Sequence, residues 1–390
     1  MLSSYGLVAR GIWQDALGAD NHERGRIARG IATSFKPWPL DAGHRTTIQE
    51  ERLSRVAIIG GGAWGTGLAI VLGRKGAHDV RMWAFEKEVC DSISHRHRND
   101  VFLPGLEIPS CVTASNRLPD VLDGTEIVIS VMPSSHCRRV FLEMRPFLRT
   151  DTLFVSATKG VEEGSLLRMS EVITQVIGEK VRVGALSGPS FAQEVARGDP
   201  TAVTIASRDS DLARVVQQEL SDPRFRVYTN DDVTGVELGG ALKNIIAIAA
   251  GVCDGLGLGH NSIAALITRG LAEITRLVIA CGGRLETMAG LAGLGDLVLT
   301  CTGGLSRNRS VGVELGRGRK LDDIVAGMHG KVAEGIFTTN AAVGLAKSRG
   351  VEMPITEQMY AILHNGKAPA EAIHELMTRA AKSEVGTSAL

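Results

Sequence analysis

An apolar segment that contains a single cation is the strongest candidate for chemistry in this chain. Residues 239–246 predict a helix in which every residue except Lys243 and Asn244 is apolar or small. A buried lysine is costly unless its ammonium is paired or functional, and burial lowers its pKa toward the range in which lysine transfers protons. A lysine that extends to the helix surface is the alternative. We favour proton transfer by Lys243.

Two later segments also place polar residues among glycines. Asp296 follows Gly295 and precedes the apolar residues 297–299. Residues 303–309 read as a glycine-bordered loop that carries Ser306, Arg307 and Asn308. A guanidinium binds phosphate oxygens with two parallel hydrogen bonds, and Ser and Asn add further ones. The loop therefore predicts a phosphate site, although a solvated connector could have the same composition.

Three glycines near residue 60 have the spacing G-x-G-x-x-G. Gly60, Gly62 and Gly65 follow an apolar run at 56–59 and precede a helical stretch at 66–75, with another strand predicted at 80–83. Such glycines allow a tight turn and close approach of a pyrophosphate, which the N–H groups of the helix N-terminus bind. In this strand–turn–helix context the pattern indicates a dinucleotide site rather than an ordinary turn.

The end of the second strand usually decides between NAD and NADP. An acidic residue there binds the ribose hydroxyls, and a basic residue binds the 2′-phosphate. Phe85, Glu86 and Lys87 occupy this place, so an acid and a base stand side by side. The sequence leaves the choice open, and a solvated loop is a further alternative.

Three more predicted strands end in residues suited to a ligand cleft. Pro133 follows the strand at 126–131, Lys159 follows the strand at 152–156, and Gly188 and Ser190 follow the strand at 181–186. The carboxyl ends of parallel strands line the ligand crevice of such sheets. We expect these residues at the cleft, although position alone is equally compatible with a surface location for Lys159.

The elements that must position these residues change in type near residue 230. Strands and helices alternate before it, which predicts a mostly parallel sheet covered by helices, and only helices are predicted after it. We therefore predict an α/β fold: an N-terminal Rossmann-like, doubly wound sheet (54–232), then an all-helical domain (233–382) and a short tail (383–390). Residues 1–53 lack a helix or strand period, and their composition favours a disordered extension or a start codon placed too far upstream.

Composition excludes several classes of function. The 43 basic and 43 acidic residues balance, which argues against non-specific nucleic-acid binding. The six cysteines show neither CxxC pairs nor zinc spacing, which indicates reduced thiols and no metal site. No apolar run reaches the ~18–20 residues of a membrane span. We expect a cytoplasmic protein with a small-molecule substrate.

Several blocks together resemble the NAD(P)-dependent glycerol-3-phosphate dehydrogenases of the soluble bacterial type. The resemblance runs from about residue 55 to residue 382, and its blocks follow the family's order. They lie at residues 60–66, 102–104, 157–160, 187–189, 239–244, 293–297, 300–301, 306–308, 334–335 and 353–355.

The resemblance implies roles for individual residues. Lys243 matches the proton donor and acceptor, and Lys159, Asn244 and Asp296 complete the polar network around it. The implied substrate ligands are Lys159, Gly188, Ser190, Lys243, Asp296, Thr300, Ser306, Arg307 and Asn308. The implied cofactor contacts are Gly60, Gly62, Ala63, Trp64, Gly65, Phe85, Pro133, Lys159, Ala192, Arg307, Val332 and Glu334. Phe85 departs from the family, which often has a polar or basic residue there to hold NADPH.

The activity implied is the reversible reduction of dihydroxyacetone phosphate by NAD(P)H to sn-glycerol 3-phosphate. This product is the backbone for glycerophospholipid synthesis. The resemblance also implies an enzyme that could form a homodimer. One rival is a β-hydroxyacid or nucleotide-sugar dehydrogenase, but their key Lys and Asn follow a K-x-x-N spacing, whereas Lys243 and Asn244 are adjacent. A dinucleotide-sensing module without catalysis is the other rival. It would need neither a lysine nor an acid in the helical half.

Overall fold

The computed structural model describes residues 54–328, 332–381 and 383–384. The predicted extension at residues 1–53 and most of the predicted tail lie outside the described residues. The described residues belong to one compact unit.

One mostly parallel sheet organises the first part of the chain. Its eight strands have the order β10-β9-β8-β7-β6-β1-β2-β5, and only the β8–β9 pair is antiparallel among the described residues. A separate antiparallel hairpin is formed by β3 and β4. The strand bounds are β1 Ser54–Ile59, β2 His78–Trp83, β3 Arg98–Asn99, β4 Leu103–Glu107, β5 Val112–Ser115, β6 Ile127–Ser130, β7 Leu153–Ser156, β8 Arg182–Ser187, β9 Thr201–Ala206 and β10 Phe225–Asn230.

Helices cover both faces of this sheet. Central strands such as β1 and β6 are buried on both sides, which explains why they read as β-branched runs rather than as alternating patterns. Apolar clusters lie on each face of the sheet, one around α1 and the other around α4 and α5. The helices of this part are α1 Ala63–Lys75, α2 Lys87–Arg96, α3 Leu118–Leu122, α4 Ser134–Met144, α5 Met169–Ile177, α6 Ala192–Arg197 and α7 Ser210–Leu220.

From residue 233 onward the described chain contains helices and no strand. This confirms the predicted fold class, because the sheet ends at Asn230 and the next helix begins at Val233. The helices are α8 Val233–Gly255, α9 His260–Ala280, α10 Leu285–Met288, α11 Asp296–Thr302, α12 Arg307–Gly316, α13 Leu321–Ala326, α14 Glu334–Arg349, α15 Pro354–Asn365 and α16 Pro369–Met377, with a π-helical turn at Leu291–Gly295.

Helix α8 is the axis of the helical part. The expectation that no apolar run reaches the length of a membrane span is wrong for this helix, which is long and apolar enough to cross a membrane. All of its apolar window is nevertheless buried inside the protein, as in a core helix. Glycines bring α12 unusually close to it. A Cβ on Gly251 would lie 2.0 Å from the Arg309 carbonyl oxygen, and one on Gly312 would lie 1.9 Å from the Ile248 carbonyl oxygen. This close packing holds the start of α12 beside the middle of α8.

Several helices and strands of the structure have no clear signal in the sequence pattern. The β3–β4 hairpin, β5 and helices α2, α3 and α6 were not predicted. Apart from the ten-residue α2 each is short, and α3 spans only five residues. Their periodicity is too brief to distinguish them from turns, so packing against the sheet decides their conformation.

Candidate active site

The glycine turn between β1 and α1 has the backbone that its spacing predicts. Gly60 has φ +134°, and a Cβ there would lie 2.5 Å from the Val131 carbonyl oxygen. A Cβ on Gly65 would lie 2.0 Å from the Gly60 carbonyl oxygen. By contrast, a Cβ on Gly62 would meet nothing within 4 Å. The turn is therefore tightly packed beneath and open above the first turn of α1, where a pyrophosphate could approach.

The start of α1 offers further features that suit a dinucleotide. Its first turn contains no acidic residue and its N-cap, Gly62, makes no side-chain cap hydrogen bond. The Trp64 indole Nε1 is buried and has no partner among the described residues. Ala63, Trp64 and Ala192 pack against the same core cluster. An unpaired donor and free helix N–H groups are what an anionic, acceptor-rich cofactor would satisfy.

The predicted cleft residues do lie at the ends of adjacent strands. Pro133 is the N-cap of α4 just after β6, Lys159 follows β7, and Gly188 follows β8. Lys159 Nζ donates to the Gly188 carbonyl oxygen at 3.0 Å, and Ser190 Oγ donates to the same oxygen at 2.9 Å. These contacts bring Lys159, Gly188 and Ser190 together at one edge of the sheet.

A buried carboxylate binds both candidate lysines. Lys243 Nζ donates to Asp296 Oδ1 and, at 2.7 Å, to Thr300 Oγ1, while Lys159 Nζ donates to Asp296 Oδ2 at 2.7 Å. Asp296 is 1% exposed and Lys243 is 5% exposed. Asp296 and Thr300 stand one turn apart on α11, so a single short helix presents both partners to Lys243.

The electrostatics of this cluster suit proton transfer. Burial lowers the pKa of Lys243 to about 7, and the nearby Lys159 ammonium lowers it too, while Asp296 acts in the opposite direction. Both protonation states of the amine are accessible near neutral pH, which is the condition for efficient general acid–base catalysis. The prediction of a buried lysine, rather than one that extends to solvent, is confirmed by its burial.

Asn244 and Asn308 belong to a second hydrogen-bond network. Asn308 Nδ2 donates to Asn244 Oδ1 at 3.0 Å, and the Gly335 backbone N–H donates to Asn308 Oδ1 at 3.0 Å. The network joins α8, α12 and the start of α14. Asn308 therefore connects three helices through hydrogen bonds. One hydrogen of its side-chain amide takes no part in these contacts.

The loop predicted at residues 303–309 is wrong in its second half. Ser306 caps a helix, because its Oγ accepts the Arg309 backbone N–H at 3.2 Å, and Arg307 is the first residue of α12. Serine is among the preferred N-cap residues. Gly303 and Gly304 are typical of a loop, so the sequence did not reveal Ser306 as an N-cap. Arg307 thus projects from a helix N-terminus rather than from a flexible connector.

Arg307 and Glu334 lie close enough for each to affect the pKa of the other. Arg307 is solvent-exposed, yet the surrounding protein lowers the pKa of its guanidinium, with Glu334 opposing that shift. No carboxylate pairs with Arg307 within the described ranges. Glu334 accepts from Ser134 Oγ at 2.8 Å and from the Ser134 backbone N–H at 3.3 Å, and burial raises the pKa of its carboxyl. The pair Ser134–Glu334 joins α4 to α14.

Phe85 and Val332 lie apart from these contacts. The Phe85 side chain is 69% exposed just beyond β2, where it lines a cavity of about 410 Å³ with Trp83 and Arg139. Val332 is half-buried two residues before α14. The structure places neither in the Lys243 cluster.

Comparisons with known proteins decide the family. The model of the NAD-dependent glycerol-3-phosphate dehydrogenase N-terminus matches residues 55–213, and the model of the corresponding C-terminus matches residues 232–374. The chain belongs to the NAD-dependent glycerol-3-phosphate dehydrogenase family. Its cofactor is accordingly NAD(P)H, and it is an oxidoreductase that acts on a CH–OH group.

Relatives and solved structures agree with this family. A glycerol-3-phosphate dehydrogenase [NAD(P)+] of Koribacter versatilis is 69% identical over 335 residues, which is 85% of this chain and 99% of the relative. One of Acidobacterium capsulatum is 55% identical over 85% of this chain and 100% of the relative. The crystal structure of glycerol-3-phosphate dehydrogenase from Coxiella burnetii has a TM-score of 0.81 at 43% identity, covering 84% of this chain and 99% of that one.

Two serines lie in segments that the sequence predicts at the cleft, but the sequence did not single them out as site residues of this glycerol-3-phosphate dehydrogenase. Ser134 binds Glu334, and its place directly after Pro133 at a strand end could have indicated it. Ser187 ends β8, and its hydroxyl is buried without a partner among the described residues. A Cβ on Gly240 would lie 2.3 Å from Ser187 Oγ, so glycine at 240 lets α8 approach the sheet.

Proposed function

We propose that this chain catalyses the reversible reduction of dihydroxyacetone phosphate to sn-glycerol 3-phosphate with NAD(P)H. The observation that carries the proposal is the buried cluster in which Lys159 and Lys243 share the Asp296 carboxylate. The curated relatives named above, glycerol-3-phosphate dehydrogenases [NAD(P)+], support the same substrate.

The cofactor residues fit a nicotinamide dinucleotide. Gly60, Gly62 and Gly65 would admit its pyrophosphate to the start of α1, with Ala63, Trp64 and Ala192 beside it. Pro133, Val332 and Glu334 would contact it from the cleft side, and Phe85 would flank its adenosine half. When bound, the dinucleotide supplies the hydride.

Lys243 would hold the proton that the reaction needs. Its protonated Nζ would donate to the carbonyl oxygen of the substrate as that oxygen gains negative charge. Asp296 and Thr300 fix the position of Nζ. Lys159, held by Asp296 and the Gly188 carbonyl, would add a second positive charge near the developing alkoxide. In the reverse direction the neutral amine of Lys243 would accept the proton.

The phosphate would bind at the start of α12. Arg307 has an exposed guanidinium without a carboxylate partner in the described part of the chain, and Ser306 adds a hydroxyl donor. The N–H groups and dipole of a ten-residue helix also favour an anion there. Asn308 would orient this end of the site through Asn244. Binding energy from the phosphate would then position the distant carbonyl, with Gly188 and Ser190 completing the pocket.

Charges near Phe85 favour NADH over NADPH. Lys87 pairs with Asp91 at 2.6 Å, and Arg139 pairs with Glu143 at 2.9 Å. Both of these cations are thus already paired with a carboxylate, and the Phe85 side chain carries no charge that could bind a 2′-phosphate. On the resemblance we also propose a cytoplasmic location, a homodimer, and a role in supplying glycerophospholipid synthesis.

Spectrophotometric assays test the proposed function. Oxidation of NADH should depend on dihydroxyacetone phosphate, and the product should be sn-glycerol 3-phosphate. Ketopantoate is a useful control, because a ketopantoate reductase from Ralstonia eutropha shares the fold with a TM-score of 0.52 at 18% identity. Turnover of ketopantoate in place of dihydroxyacetone phosphate would refute the assignment.

A further inference from the structure

A large cavity lies in the helical part, away from the proposed active site. Its volume is about 800 Å³, and its walls come mainly from α9, α15 and α16. None of Lys159, Lys243, Asp296 or Arg307 lines it. The cavity opens to the surface, where it is bordered by exposed residues such as Leu258 and Met377, and ligand pockets typically measure about 300–1,000 Å³. Its volume is therefore large enough for a small-molecule ligand.

The walls of this cavity are strongly apolar. Ile355, Met359 and Ile362 face it from α15, and Leu376 and Met377 from α16 and its end. Methionine side chains adapt their shape to flexible apolar ligands. The Met377 side chain is 80% exposed, so this wall presents apolar surface that nothing in the described chain covers.

One face of α9 supplies the polar part of the cavity. Arg269, Glu273 and Arg276 are spaced at i, i+4 and i+7, and all three line the cavity. Arg269 donates to the Glu384 backbone carbonyl at 3.4 Å, and Arg276 donates to the Glu352 backbone carbonyl at 3.0 Å. Neither guanidinium pairs with a side-chain carboxylate in the ranges that the structure describes.

Two acidic residues, Glu273 and Glu384, line the cavity, and the Glu273 carboxylate is engaged in hydrogen bonds. Glu273 accepts from the Ile355 and Thr356 backbone N–H groups at 2.9 and 2.8 Å, and from Thr356 Oγ1 at 2.7 Å, so it caps α15. Arg379, a third cation in the lining, pairs with Glu352. Three arginines against two glutamates leave the lining with net positive charge, although Arg276 lies near the Glu273 carboxyl and opposes the rise in its pKa that burial causes.

A buried acceptor adds an independent sign of a ligand. Gln358 lines the cavity, and its Nε2 donates to Glu375 at 2.8 Å, while its buried Oε1 has no partner among the described residues. An unsatisfied buried acceptor is costly, so it implies a donor from a bound molecule or an ordered water.

We propose that this cavity binds a single-chain amphiphile with an anionic head, specifically a long-chain carboxylate. The alkyl chain lies against the apolar walls of α15 and α16. The carboxylate binds Arg269 and Arg276, whose planar guanidinium groups match its two oxygens. A water held by the head group would donate to Gln358 Oε1. A neutral apolar ligand would leave both guanidinium groups unused, and a short anion would leave the apolar walls exposed.

Calorimetric titration of the full chain with decanoate, below its micelle concentration, tests this proposal without using dehydrogenase activity. We expect one site per chain. Dodecanoate should bind about 15-fold more tightly than decanoate, because each buried CH₂ contributes a factor of about four. Arg269→Ala should weaken decanoate binding by about tenfold or more, while binding of decan-1-ol changes by less than about twofold.

A matched pair of tryptophan variants tests the location. Ala265 and Ala264 are adjacent exposed residues on α9, but only Ala265 lines the cavity. Ala265→Trp should obstruct the cavity between α9 and α15 and abolish binding of both ligands, whereas Ala264→Trp should leave both unchanged. Both substitutions replace exposed residues, and melting curves would verify that the variants fold.

Several outcomes would overturn the proposal. These are no saturable binding of decanoate, equal loss of binding in Ala264→Trp, or affinity that does not depend on chain length. Self-association that Ala265→Trp abolishes would assign the surface to a second copy of the chain. Binding that appears only after removal of residues 385–390 would assign it to the C-terminus of the chain itself.

Discussion

Lys243 and Asp296 form a buried ion pair that joins α8 to α11. The two residues are 53 positions apart in the chain, and each is at most 5% exposed. Because Lys159 occupies the other oxygen of the same carboxylate, Asp296 sets the position of both ammonium groups. The geometry of proton transfer therefore depends on a residue that need not touch the transferred proton.

Replacement of Lys243 tests its role as the proton donor. Lys243→Met keeps most of the side-chain volume in an apolar helix, so the fold and NADH binding should survive. Turnover should fall by about 10²–10⁴, the usual contribution of general acid–base catalysis. Steady-state kinetics and NADH fluorescence titration measure the two effects, and Lys180→Met, at an exposed lysine, is the control. Turnover above about a tenth of wild type would make Lys243 structural.

The pH dependence should differ in sign between the two directions. The pKa of Lys243 is lowered to about 7, and reduction needs the protonated amine. The kcat/KM for reduction should be constant at acid pH and fall as pH rises through about 7. The kcat/KM for oxidation of glycerol 3-phosphate should instead rise through the same range. Dihydroxyacetone, which has no titrating phosphate, is the control substrate. Parallel pH profiles in the two directions would contradict this assignment.

Arg307→Lys should weaken binding of the phosphorylated substrate. An ammonium cannot reproduce two parallel hydrogen bonds, and loss of such a charge-assisted contact costs about 2–3 kcal/mol, or about 30–150-fold in KM. The kcat/KM for dihydroxyacetone should hardly change. Arg309→Lys is the matched control, since Arg309 pairs with Asp254 at 2.8 Å. A raised Kd for NADH alone would assign Arg307 to the cofactor instead.

Phe85→Arg should shift the cofactor preference toward NADPH. A guanidinium beyond β2 could bind the 2′-phosphate, and a charge-assisted hydrogen bond of that kind changes affinity by about tenfold or more. The ratio of kcat/KM values for NADPH and NADH measures the shift. Lys87→Ala should leave the ratio unchanged, because Lys87 already pairs with Asp91. A wild-type enzyme that prefers NADPH would show that another cation binds the 2′-phosphate.

Glu237 should be important for stability rather than for chemistry. It is buried on α8 and accepts from the Ser170 backbone N–H, from Ser170 Oγ and from Arg168, at 2.8, 2.6 and 2.7 Å. Its removal leaves the partly buried Arg168 with Glu171 as its carboxylate partner and leaves the Ser170 donors unpaired, and such losses cost about 1–3 kcal/mol. Urea unfolding of Glu237→Ala should show a lowered midpoint, whereas Glu179→Ala, at an exposed residue, should show little change. Equal midpoints would mean that the pair contributes nothing net.

Features that depend on a few neighbouring residues could be predicted from the sequence. The glycine turn is one, because Gly60 and Gly65 are required by contacts within the β1–α1 unit and its adjoining strand. The buried position of Lys243 is another. Apart from Asn244, its neighbours along the helix are apolar or small on every side, and a helix that is apolar all round is predicted to be buried. The start of α12 was missed although its cap is local, because two glycines beside Ser306 resemble a loop.

The sequence by itself determined three features: the strand–turn–helix unit at the start of the sheet, the change from strands to helices near residue 230, and the position of Lys243 among apolar residues. Each of these follows from the local periodicity and composition of the chain. Only the tertiary structure decided that Lys159, 137 residues before Asp296, meets the same carboxylate as Lys243. It also decided that Glu334 bonds to Ser134, 200 residues away. Such contacts arise because the ends of parallel strands converge at one edge and helices pack across it, and no local pattern records which distant side chains then meet.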